Sequence, residues 1–145
     1  MEKRLIEATE NHLYLIEELD KKNFEQAWSV QQIGNDFTKE FSNTFLLEVE
    51  DQIVGYMNFW IIADACELNR ICVNKEFRRG GYAEYMLEQL IAHASTTEAV
   101  RILIEVSVNN IAARKLYEKL GFIEIHRREK YYHDGSDAVI MERDL

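Results

Sequence analysis

Apolar residues recur along this chain at two spacings, and the alternation between them lays out its elements. Residues 3 to 8 read as a short strand, after which Leu13, Ile16 and Leu19 fall on one face of a helix. A second short helix is expected over Trp28 to Phe37. The runs Thr44 to Glu50 and Ile53 to Ile62 are rich in β-formers and separated by Asp51 and Gln52, so they read as a hairpin. A further strand from Cys66 to Val73 is expected to pair antiparallel with the second run across Ala63, Asp64 and Ala65.

Beyond Val73 the helical spacing returns. Ala83, Leu87, Leu90, Ile91 and Ala94 form a one-sided stripe. Arg101 to Val108 reads as a strand apolar on both faces, which suits a central parallel strand reached by a helical crossover. Ala112, Ala113, Leu116 and Leu120 line the next helix, and Gly121 stands where a helix terminator is expected. Two strands close the chain, near Phe122 to Tyr132 and Ala138 to Arg143, joined by His133 to Asp137. The fold class is therefore α/β, with a mixed sheet flanked by helices.

Composition narrows the setting. The 145 residues form one expected domain spanning 1–145, with no repeat, low-complexity tract or proline-rich boundary. The first residues lack the apolar run of a signal peptide, and no later run approaches membrane-spanning length, so a soluble cytoplasmic protein is expected. Cys66 and Cys72 lie six residues apart in one expected strand, too far for a bridge between them. His12, His93, His126 and His133 are scattered, so no metal site is expected. Seventeen basic against 26 acidic residues give a formal charge of −9, which disfavours nucleic acid and favours a cationic acceptor.

The densest chemistry sits where the strand ending at Val73 runs into the next helix. Lys75-Glu76-Phe77-Arg78-Arg79-Gly80-Gly81-Tyr82-Ala83 is a basic, glycine-containing turn that opens a helix. Adjacent glycines let several backbone N–H groups point one way, and the helix start adds its positive dipole end, an arrangement suited to phosphate. Several phosphate ligands fit this ordering.

The register Arg78-x-x-Gly81-x-Ala83 resembles the acetyl-CoA signature of the GNAT superfamily of N-acetyltransferases. The stretch Glu105 to Phe122, with Asn109-Asn110, Ala113, Leu116-Tyr117-Glu118 and Leu120-Gly121-Phe122, resembles that family's second block. One departure is visible: similar proteins usually carry proline where this chain has Lys75, and the chain has no proline. The resemblance implies the single-domain GNAT fold, a sheet of about seven strands with about four helices, and acetyl-CoA as cosubstrate without a metal. It implies that Arg78, Arg79, Gly80, Gly81, Tyr82 and Ala83 hold the pyrophosphate. Backbone groups of Ile71, Cys72 and Val73 would hold the pantetheine arm and polarise the thioester, and Asn110 would help hold the coenzyme.

Glu105 is an ionisable group in a run otherwise suited to burial. It is either a buried ion pair with Arg70 or Arg101, or a general base that takes a proton from an amine. Tyr117 is either a core aromatic or the acid that protonates a leaving thiolate. The resemblance to RimI-type enzymes favours the catalytic reading for both. Glu67 is either a competing base that touches substrate or a surface strand residue. Asn110 also suits a helix cap. Cys72 could serve as a nucleophile, but no histidine lies nearby in sequence to activate it. Tyr131 and Tyr132 resemble a paired-tyrosine segment near the peptide groove of RimI-type enzymes, or are ordinary strand aromatics.

RimI-type enzymes acetylate the terminal alanine of small-subunit ribosomal protein eighteen. The expected partner is accordingly a basic protein N-terminus, with neither nucleic acid nor membrane involved, and the chain acts as a monomer or weak dimer. An α-amino group has a reference pKa near 8, against about 10.4 for lysine, so one carboxylate near neutrality suits a terminal amine better. Two other readings stay open: acetylation of a polyamine, and a non-catalytic acyl-CoA-binding module.

Overall fold

The computed structural model describes residues 2–145, and the chain gathers into two compact units. The first takes Met1–Trp60 and Arg70–Leu87; the second takes Ile61–Asn69 and Glu88–Leu145. The strands are β1 (Lys3–Glu7), β2 (Ser42–Val49), β3 (Gln52–Ile62), β4 (Ala65–Val73), β5 (Arg101–Ser107), β6 (Ile123–Arg128) and β7 (Ala138–Asp144). The helices are α1 (Leu13–Asn23), α2 (Val30–Phe37), α3 (Tyr82–Ala94) and α4 (Ile111–Lys119). All strands join one seven-stranded mixed sheet in the order β1-β2-β3-β4-β5-β7-β6.

In the first unit β1, β2 and β3 form an antiparallel ladder. The β2–β3 turn is Glu50-Asp51, both in the left-handed region (φ 50° and 66°), the conformation that matches hairpin twist. It falls one residue earlier than the expected Asp51-Gln52, because Gln52 already pairs with Val49. Ser29 caps α2: its hydroxyl accepts from the Gln32 N–H at 3.1 Å, and the Gln32 side chain accepts from the Ser29 N–H at 2.8 Å. That reciprocal cap starts the helix at Val30, two residues later than expected from Trp28. Ile16, Leu19 and Ile33 from the helices pack with Leu46, Tyr56 and Cys72 to form a buried cluster. At Gly55 a Cβ would lie 2.3 Å from the Cys72 carbonyl oxygen, so only glycine lets these backbones approach.

The second unit is built on β5. Ala65–Leu68 of β4 run parallel to Arg101–Ile104, as expected of a strand reached by a helical crossover. On the other side β5 pairs antiparallel with β7, which pairs with β6. The expectation that β5 is apolar on both faces is corrected: Ile102, Ile104 and Val106 are buried, whereas Arg101, Leu103, Glu105 and Ser107 alternate onto a more open face. Leu103 hides this alternation in the sequence. On α3 the stripe holds, with the addition of fully buried Met86. On α4 only Tyr117 is buried, and Ala112 faces outward. Among the described residues no helix is long and apolar enough to cross a membrane.

Candidate active site

The glycine turn lies in the first unit. Lys75–Phe77 make one 3-10 turn after Asn74, then the backbone is left-handed at Arg79 (φ 67°) and Gly81 (φ 78°) before α3 begins. The Tyr85 N–H bonds the Gly81 carbonyl at 3.0 Å, which seats the first turn of α3 on the glycine, and the opening N–H groups of an α-helix point out of its N-terminus. A Cβ built at Gly81 meets nothing within 4 Å, which leaves room for a group to approach the backbone. These features fit a bound phosphate.

The two arginines of the turn differ. Arg79 is exposed. Arg78, exposed as well, reaches back: its Nε donates to the Val73 carbonyl at 3.0 Å and a terminal nitrogen donates to Asn23 Oδ1 at 2.9 Å. Asn23 in turn donates to Asn74 Oδ1 at 3.0 Å and to the Leu19 carbonyl at 2.8 Å. This cross-linked node ties the turn to α1. Asn23 lies 51 residues from Asn74 in the chain, and no sequence pattern signals the pairing.

Ile71, Cys72 and Val73 complete β4 immediately before the turn. The Cys72 side chain joins the first unit's core, and burial pushes its thiol up to about 12. It therefore stays protonated near neutrality and lacks the thiolate needed for nucleophilic attack. Arg70, just before Ile71, is packed between the rings of Phe24 (4.1 Å) and Trp28 (4.5 Å) and faces fully buried Asp20 at 3.6 Å. Asp20 also accepts from the Tyr56 hydroxyl at 2.5 Å and from the Trp28 N–H at 2.6 Å.

Glu105, Asn110, Tyr117, Tyr131, Tyr132 and Glu67 all lie in the second unit. Glu105 is paired, but with neither Arg70 nor Arg101: Arg70 belongs to Asp20, and Arg101 to Asp64 and Glu142. Its partners are Arg128, with a terminal nitrogen 3.4 Å from Oε2, and Tyr132, whose hydroxyl is 3.5 Å from Oε1. The Glu105 side chain is 33% exposed, so its carboxylate is open to an incoming group. Burial first, and the Glu105 charge second, push the Tyr132 phenol up to about 12. Glu67 is opposite Leu103 in the parallel register, which puts it on the same sheet face as Glu105.

Tyr131 and Tyr132 are not on a strand. β6 ends at Arg128, Lys130 turns left-handed (φ 50°), and the Lys130 N–H is taken by Asp137 Oδ1 at 3.0 Å, which closes a loop. The rings stand edge-on at 5.2 Å, and the Arg128 guanidinium lies 5.3 Å from the Tyr131 centroid.

Asn110 caps α4, its Oδ1 accepting from the Ala113 N–H at 3.2 Å. At the other end Gly121 (φ 93°) closes the helix: the Phe122 N–H bonds the Tyr117 carbonyl and the Gly121 N–H bonds the Glu118 carbonyl, both at 3.0 Å. The Tyr117 and Phe122 rings meet at 5.9 Å, the apolar contact that accompanies such a cap. Tyr117 is thereby fixed in place, and burial alone pushes its phenol up to about 12. Such a group can give a proton near neutral pH but cannot take one.

A sequence profile of the Acetyltransferase (GNAT) family matches residues 9–122. A putative [ribosomal protein bS18]-alanine N-acetyltransferase of Bacillus subtilis is 26% identical over 133 residues, covering 90% of this chain and 86% of that protein. The [ribosomal protein bS18]-alanine N-acetyltransferase of Salmonella typhimurium is 30% identical over 128 residues, covering 79% and 86%. Among solved structures, the ribosomal-protein-S18-alanine N-acetyltransferase from Escherichia coli superposes with a TM-score of 0.92 at 25% identity, covering 99% of this chain and 94% of that one. The chain belongs to the acetyltransferase (GNAT) family, and it is an N-acetyltransferase.

Proposed function

We propose that the whole chain, 1–145, works as one domain in the cytoplasm. It acetylates the N-terminal α-amino group of a basic protein, with the terminal alanine of ribosomal protein bS18 as acceptor. The names of the similar proteins support this acceptor. The observation that carries the mechanism is an open carboxylate, Glu105, in the same unit as a buried, protonated phenol, Tyr117.

Acetyl-CoA supplies the acetyl group as a thioester. Backbone N–H groups from Gly80 to Ala83, with the Arg79 side chain nearby, bind its phosphates; Arg78 serves by bracing the turn. Ile71, Cys72 and Val73 hold the pantetheine arm through their backbone, and Asn110 adds a contact while capping α4. Glu105 takes the proton the acceptor amine loses as the C–N bond forms. Tyr117 gives a proton to the sulfur as the C–S bond breaks. Tyr131 and Tyr132 contact the acceptor peptide. Glu67, on the same face as Glu105, is a substrate contact and the alternative base. No acetyl group passes through the protein, because Cys72 is a protonated core thiol. The working unit is a monomer or weak dimer.

The test follows thiol release from acetyl-CoA against peptides beginning with alanine, serine or methionine, an N-blocked lysine peptide, and spermidine. Release confined to free N-termini, led by alanine, is expected. Turnover of spermidine alone would overturn the acceptor, and no turnover with any amine would overturn the enzyme reading.

A further inference from the structure

No sequence pattern singles out Arg128, yet it is the cation nearest the Glu105 carboxylate, at 3.4 Å. It holds this position through two contacts: Glu105 on one side and the Tyr131 ring, 5.3 Å away, on the other. Tyr131 meets Tyr132 at 5.2 Å, and Tyr132 reaches the second oxygen of the same carboxylate. The four side chains close a ring that leaves the carboxylate accessible and beside a positive charge. Both contacts to Glu105 are long, and Arg128 is 51% exposed, so this ring can open to admit an amine.

The chemistry of the acceptor gives this charge a purpose. An alkylammonium approaching Glu105 must displace or sit against a guanidinium, whereas a neutral amine need not. An α-amino group, with a reference pKa near 8, is substantially neutral around pH 8; a lysine or polyamine nitrogen near 10.4 is almost wholly cationic. Other charged or titratable groups share this face. Glu67 lies opposite Leu103 on β4 and Glu142 opposite Leu103 on β7, while His126 lies opposite Ile140, the residue paired with Glu105. The two carboxylates would attract a cation, and Glu142 is already engaged by Arg101 at 3.9 Å. Of these groups Arg128 is the one that opposes a cation at Glu105 itself.

We propose that Arg128 is a specificity-setting positioning residue, which admits the acceptor to Glu105 as a neutral amine and thereby selects terminal α-amines over strongly basic alkylamines. The proposal rests on the reading of Glu105 as the base. It is tested by comparing wild type, Arg128→Gln and Arg128→Lys for kcat/KM on an alanine-initiated peptide and on spermidine between pH 6.5 and 9.5. Because the pair is half exposed, the peptide-to-spermidine ratio is expected to fall about three- to tenfold in Arg128→Gln, mainly through a lower KM for spermidine. The fall should be largest near pH 9, where the peptide amine is neutral and spermidine is still cationic, and smallest at pH 6.5, where both are charged. Arg128→Lys keeps the charge and should stay near wild type. A ratio that does not move while both activities drop together would overturn the proposal and leave Arg128 a structural residue. If wild type releases no thiol with any amine, the acetyl-transfer reading fails on its own. Calorimetric binding of spermidine then decides: tighter binding to Arg128→Gln than to wild type supports the charge barrier, and equal binding overturns it.

Discussion

Tyr117→Phe separates the chemistry of this tyrosine from its packing. The substitution removes one hydroxyl and keeps the ring, which is 6% exposed and rests 5.9 Å from Phe122. The bonds that end α4 here come from backbone groups of Tyr117, Glu118, Gly121 and Phe122, so none is lost. Burial is the only cause raising the phenol's pKa, so no charged partner is orphaned. Folding stability should therefore change by less than about 1 kcal/mol. Loss of a positioned general acid costs about 10²- to 10⁴-fold in kcat, equivalent to about 2.7–5.5 kcal/mol of barrier. The Kd for acetyl-CoA should stay within about twofold, since the lost interaction acts only as the thiolate leaves. Thiol release at saturating peptide and acetyl-CoA reads kcat, and calorimetric melting reads stability. Tyr117→Ala is the contrast: it deletes the ring and should lose about 3–5 kcal/mol of stability. In wild type, kcat should not fall on the alkaline side up to about pH 10, because the donor is held protonated above the ordinary phenol value. A Tyr117→Phe enzyme with wild-type kcat would refute the donor role, and Tyr117 would then be a core aromatic only.

Other outcomes follow from the same structure. Glu105→Gln should lower kcat by about 10²-fold or more with little change in coenzyme affinity; full activity across pH would pass the base role to Glu67. Gly81→Glu should abolish acetyl-CoA binding, measured by calorimetry, because it puts a carboxylate where phosphate must approach and strains a φ of 78°. Asp20→Ala leaves the buried Tyr56 hydroxyl, the Trp28 N–H and Arg70 without their shared acceptor. It should cost about 3–5 kcal/mol in urea unfolding, and a loss below about 1 kcal/mol would show that the network contributes little. Finally, the thiols of Cys66 and Cys72 and the phenols of Tyr117 and Tyr132 are all raised to about 12, chiefly by burial. The folded chain keeps these protons after the unfolded chain has lost them. Stability should therefore be fully present below about pH 9 and be lost as pH rises toward 12. A melting temperature that stays flat from pH 8 to pH 11 would contradict this.

Local patterns in the chain carry most of the elements and the main chemical candidates. The β4-to-α3 turn, the cap at Asn110 and the terminator at Gly121 are all encoded within a few residues, and the structure has each of them. What the sequence conceals is long-range or orientational. Glu105 looks embedded in an apolar run because Leu103 sits on its open face, which makes Arg70 and Arg101 the natural partners to expect. Its actual partner, Arg128, comes from a strand reached only through the β5–β7–β6 order. The Asn23 node is illegible for the same reason. Tyr131 and Tyr132 read as strand because they are β-formers, but the left-handed turn at Lys130 and the Asp137 bond override that propensity.

The division of the chain among its compact units has a bearing on how the protein is made. The first unit needs Arg70–Leu87, yet Ile61–Asn69, which precede that segment, belong to the second. A nascent chain emptying from the ribosome in N-to-C order cannot complete the first unit at Trp60; it must wait until Leu87 has emerged. By then a piece of the other unit is already exposed to solvent, the first half of β4 included. Closure of the first unit is thus delayed by synthesis and not by chain entropy, because the intervening segment Ile61–Asn69 is short and closing so short a loop costs little. A ribosome stalled between these two points would display the helices and the first hairpin without the strand that completes them.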